Sequence, residues 1–110
     1  MNWLDERQVA EAQKAVVDTA HGLAGGSVLF LEGVRRLAFL RFQVSKLDND
    51  PDFMLFVGIA SEADHIPPQE IRSQCTKVWL EHCDNEGKEL EALYQQQVRA
   101  TCERLIRRFS

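Results

Sequence analysis

VLFLEGVRRLAFLRFQV, residues 28–44, is the stretch whose reading decides the fold. At about 100° per residue its polar side chains Glu32, Arg36 and Gln43 fall on one narrow side, with Glu32 and Arg36 at the spacing of a helix-surface ion pair. Almost everything else is apolar, so the spacing predicts a mostly buried helix at the centre of the molecule, capped by the hydroxyl of Ser27. Arg41 falls outside the polar side, among Phe30, Val34, Leu37 and Val44. Its guanidinium must either reach past the helix end to water or meet a carboxylate inside.

Working outward, Val9, Ala12, Val16, Ala20 and Leu23 recur at three and four residues and mark one face of a helix from near Trp3 to the stop at Gly25-Gly26. On the other side, Asp48 to Asp52 read as a turn, in which Asp50 and Pro51 suit the N-cap and first position of a new helix. Residues 53–60 are nearly all apolar and fit a helix or a strand. No other segment reads as a strand, and a lone strand leaves its backbone unpaired, so a short helix is expected. Ile66 before Pro67-Pro68 ends that helix by about Asp64. A short helical turn follows near residues 68–74, and Thr76 caps a long final helix from Lys77 to Phe109. Acidic residues gather early in that helix and Arg104, Arg107 and Arg108 late, as the helix dipole favours.

The expected architecture is therefore an all-α bundle of four main helices with a short extra helical turn, forming a single domain over residues 1–110. The composition fits: 45% of the 110 residues are apolar and 27% charged, and no run approaches the length of a membrane span. The first 24 residues carry Asp5, Glu6, Glu11 and Asp18, which is wrong for a signal peptide, so the cytoplasm is the expected location. A net charge of −4 disfavours nucleic acid as a partner. Cys75, Cys83 and Cys102 are an odd number and read as reduced packing residues.

Ser61-Glu62-Ala63-Asp64-His65 is the densest polar cluster, held between an apolar segment and a double proline. Two carboxylates and an imidazole so close together are able to ligate a metal or share acid–base work. The plainer alternative is that Ser61 and Asp64 satisfy backbone groups at a helix end. Between the two lies a structural role, in which Arg41 pairs with Glu62 or Asp64 and ties the bend to the core. Other chemistry finds little support. Asp48, Asp50 and Asp52 alternate like a calcium loop, but Phe53 and Ile59 stand where its glycine and bidentate glutamate belong. Cys75, His82 and Cys83 lack zinc-ligand spacing. There is no phosphate-binding glycine loop, dinucleotide fingerprint or serine elbow, so no cofactor is expected.

Glu32-Gly33-Val34-Arg35-Arg36-Leu37 and the stretch from Asp52-Phe53 to Ser61-Glu62-Ala63-Asp64-His65-Ile66-Pro67 resemble a family of small uncharacterised bacterial helical proteins. In that family the second motif tends to read S-E-T-D-H-L-P, followed by an arginine three residues before a tryptophan. Arg72 matches the arginine, and Cys75 stands in place of the tryptophan. The resemblance implies an all-helical fold and draws attention to Glu62, Asp64, His65 and Arg72, but implies no activity. The leading expectation is a non-enzymatic protein-interaction module, with the size and acidity of immunity proteins that neutralise toxins. The competing expectation is a small metal-dependent enzyme or ligand-binding protein using Glu62, Asp64 and His65, with Arg72 holding an anionic group. The long last helix exceeds what so small a core requires, which adds a homodimer to the expected partners.

Overall fold

The computed structural model describes residues 6–110 and is helical throughout, in the order α1 (Glu6–Gly25), α2 (Phe30–Val44), α3 (Pro51–Glu62), a 3-10 turn (Gln69–Gln74) and α4 (Lys77–Phe109). Whether α1 begins as early as Trp3 lies outside the described residues. Among them there is no strand, and residues 53–60 are helical as expected. No helix among the described residues is long and apolar enough to cross a membrane.

Local chemistry explains most of the boundaries. Asp50 accepts a hydrogen bond from the Asp52 N–H and Pro51 opens α3, while Thr76 accepts one from the Trp79 N–H and opens α4. Ser27 departs from expectation. Gly26 is left-handed (φ 79°), Gly26 N–H bonds to the Leu23 carbonyl and Ser27 N–H to the Gly22 carbonyl, which is the Schellman closure of α1. Ser27 thus belongs to the end of α1, and α2 starts at Phe30 behind Leu29 without a side-chain cap.

One core joins all four helices: Ala12, Val16 and Ala20 of α1, Val34, Leu37 and Leu40 of α2, Phe53, Phe56 and Ile59 of α3, and Val98, Cys102 and Leu105 of α4. A smaller cluster, Ala63, Ile66 and Cys83, holds the bend after α3 against the first half of α4. The centre is α1, not α2, because α1 packs broadly on both α2 and α4 while α2 and α4 barely meet. With α1 and α3 covering only one side of α2, the other side is uncovered, and Phe39 and Phe42 are 64% and 60% exposed. Glu32 and Arg36 do not pair; Arg36 Nε instead donates to Thr19 Oγ1 of α1 at 3.2 Å.

Candidate functional site

The bend expected to carry function is built at the end of α3. Ala63 closes that helix, its N–H bonding to the Ile59 carbonyl, and Ile66 N–H turns back to the Ala63 carbonyl at 2.9 Å. Ala63 and Ile66 are buried, so their carbonyls need partners inside the fold. Arg35 supplies them: Nη2 donates to the carbonyls of Ala63 and Ile66, both at 2.7 Å. The tie between bend and core anticipated for Arg41 is therefore made by Arg35, six positions earlier on α2, and it reaches backbone, not a carboxylate.

Arg41 pairs with neither Glu62 nor Asp64. Its Nη1 bonds to the Ala38 carbonyl, the guanidinium lies 3.8 Å from the centre of the Phe42 ring, and Nε is buried with no hydrogen-bond partner. The reason is register. α3 runs back along α2, so Arg41, close to the connecting turn, is far from residues that end α3.

Three of the four side chains singled out around the bend reach α4, each at a different place. Glu62 accepts a hydrogen bond from the Tyr94 hydroxyl at 3.2 Å. His65 meets the carboxylate of Glu86, which also receives His82 from one turn earlier, and the Trp79 ring lies 6.1 Å from the His65 ring and 5.4 Å from that of His82. Arg72, in the 3-10 turn, makes a two-pronged pair with Asp84 at 2.8 and 3.1 Å. This bond holds the Asp84 carboxyl below the usual carboxylate range and pushes Arg72 up. Asp64 is exposed and its side chain has no partner among the described residues. The four do not converge, and among the described residues no three histidine, cysteine or acidic side chains are grouped to hold a metal ion.

Beside this lacing, the start of α2, the double proline and α4 enclose an open cleft of about 290 Å³. Arg35, Arg72 and Lys88 line it together with Glu32, Asp84 and Glu91, so its charges balance. Cys83, also in its lining, is buried, and Cys102 lies in the main core; burial pushes both thiols up, Cys102 to about 11. Neither is a thiolate near neutral pH, as a nucleophile or metal ligand must be. All three cysteines are free.

A second ionic cluster, at the other end of the molecule, had no counterpart in the sequence reading. Asp50 is 1% exposed and accepts from Arg108 at 2.9 and 3.0 Å, from the Ser45 hydroxyl at 2.7 Å and from the Asp52 N–H at 3.0 Å. The Arg108 hydrogen bonds, with those from Ser45 and Asp52, outweigh burial and hold the Asp50 carboxyl at about 2. Asp52 takes Arg108 and Arg104 as well. Only proximity across 58 positions of chain reveals this pairing, whereas the late arginines of α4 already have a sufficient local explanation in the helix dipole.

No family model, curated protein or solved structure matches this chain.

Proposed function

We propose that this chain is a non-enzymatic protein-interaction module that binds its partner through the uncovered side of α2. The observation that carries the reading is the exposure of Phe39 and Phe42, two aromatic rings three positions apart on one helix face, each more than half exposed. Large apolar rings left outside a core mark interaction surfaces, and aromatic side chains dominate binding energy where they become buried. Leu47, 63% exposed, follows in the turn after the helix. The polar groups weigh on the same side. Glu62, His65, Arg35 and Arg72 are each engaged in a bond that holds the bend in place, and Glu62, His65 and Arg72 go to different partners on α4. On this reading the two stretches that resemble the small helical bacterial family form a structural lock, since Arg35 of the first grips the backbone of the second.

The test is a photo-crosslinking amino acid at position 39, introduced in the native cells. One defined protein species is expected to be trapped, and Phe42→Asp is expected to abolish trapping while helicity by circular dichroism is unchanged. Diffuse labelling unaffected by Phe42→Asp refutes the reading. So does purified protein that turns over a substrate and needs Glu62 or His65 to do it.

A further inference from the structure

Among the described residues α2 is the one helix in which bases outnumber acids. It carries Arg35, Arg36 and Arg41 against Glu32, whereas acids equal or exceed bases in α1, α3 and α4 and the chain as a whole has a charge of −4. Its three arginines go different ways. Arg35 is bound to the bend after α3, and Arg36 donates to Thr19 of α1 and shares a groove with Glu11 and Phe39. Arg41 bonds to the Ala38 carbonyl of its own helix and lies over the Phe42 ring, with Nε buried and unpartnered. A charged donor left without an acceptor is costly. The fold supplies no acid to meet it, since none of the ion pairs among the described residues includes Arg41. Glu32 lines the cleft at the other end of α2, Asp52 and Glu62 of α3 are taken by side chains of α4, and Asp48 shares the exposed turn after α2 with Lys46. Arg41 is thus an unpaired cation beside Phe42, at the edge of the exposed aromatic side of the molecule.

We infer that the α2 side takes an acidic, apolar segment of another protein, which sets an Asp or Glu carboxylate on Arg41 while its apolar side chains cover Phe42 and Phe39. The inference rests on the interaction reading and deepens it by naming the partner's chemistry. A planar carboxylate accepts two parallel hydrogen bonds from the Nε and Nη2 edge of a guanidinium, and Nε is the donor that the free chain leaves unmet. The pair forms as Arg41 turns from the Ala38 carbonyl toward solvent. Covering Phe42 then excludes water from the pair and strengthens it. A nucleic acid also suits cations beside exposed rings, but it needs phosphate contacts repeated along a strand. Here Arg35 and Arg36 are turned to the bend and to α1, and the helices flanking α2 are acidic, so a local carboxylate fits where a polyanion is repelled.

Selection of random linear peptides, displayed on phage, against the purified full chain tests it. The selected peptides are expected to share an Asp or Glu beside Phe, Trp or Leu. The strongest, made synthetically and measured by fluorescence polarisation, should bind more weakly as salt rises and not at all to Phe42→Asp. Arg41→Met should weaken it about tenfold or more, the loss of a charge-assisted pair. Replacing the peptide's acidic residue by its amide should do the same while leaving the protein untouched. Arg41→Glu should abolish binding, and a lysine in place of the peptide's acid should restore it. Circular dichroism verifies that each variant keeps its helicity. Failure to select any peptide overturns the inference, as do selected peptides without an acid, or binding indifferent to Phe42→Asp, to Arg41→Met or to the amide. So does a single-stranded DNA oligonucleotide that binds in a Phe42-dependent way, or a dimer of the chain that Phe42→Asp dissociates. Peptides that need Phe42 but not Arg41 overturn this inference alone; the α2 reading is scored separately, by trapping at position 39.

Discussion

Arg35 holds two buried carbonyls with one nitrogen, and the bend after α3 has no other side chain bound to its backbone carbonyls at Ala63 and Ile66. Bonds from a charged donor to buried acceptors are among the stronger ones in a protein, and losing the donor leaves both carbonyls unsatisfied. Arg35→Ala should therefore cost about 2–3 kcal/mol in urea unfolding, with Arg35→Lys recovering part of the loss. His65→Ala and Arg72→Ala remove pairs that lie largely in solvent, and each should change stability by less than about 1 kcal/mol. The sequence reading fixed on Arg41 because its angle on the helix is apolar. Angle alone does not tell how far along α2 the end of α3 returns, and that distance selects Arg35.

At the scale of elements, α1 and α2 approach closely because Gly33 lacks a side chain. A Cβ there would come within 2.5 Å of Leu23 Cγ and Cδ2, and Leu23 is itself packed against the core. Gly33→Ala should destabilise by about 1–3 kcal/mol, the cost of overpacking, even though alanine is the better helix former. Gly58→Ala, on the open side of α3 where a Cβ meets nothing within 4 Å, should be neutral or stabilising by up to about 1 kcal/mol. Thermal or urea midpoints of the two variants, moving in opposite directions, would separate close approach from propensity. The boundaries at Asp50-Pro51 and Thr76 were legible because a cap acts within three or four residues of itself. Ser27 was misread because a serine after two glycines suits either helix, and the left-handed Gly26 decides which.

For the whole molecule, the Asp50–Arg108 pair closes the turn before α3 onto the end of α4. The Asp50 carboxyl lies at about 2 in the fold against an ordinary 3.8. A carboxyl lowered by folding contributes stability that is fully present above its ordinary value and is lost as pH falls through the folded one. That contribution, about 2 kcal/mol, should disappear between roughly pH 4 and pH 2. Urea midpoints measured down this range should fall, and Asp50→Asn should lower stability at neutral pH while flattening the acid limb. An Asp50→Asn variant with an unchanged acid limb would assign that limb to other carboxylates.

Helix type and order, the end of α1 and the starts of α3 and α4 were determined by the sequence itself, since hydrophobic period, prolines and caps act locally. The sequence also placed Cys83 and Cys102 in the core and pointed to the bend at residues 62–66. Only the tertiary structure decided that α1 is the central helix, that Phe39 and Phe42 face outward, that Arg35 is the lock, and that Glu62, His65 and Arg72 go to separate partners on α4. Each of these depends on which faces of which helices meet and at what register. Contacts between residues far apart in the chain set that register, and no periodicity within a single helix encodes it.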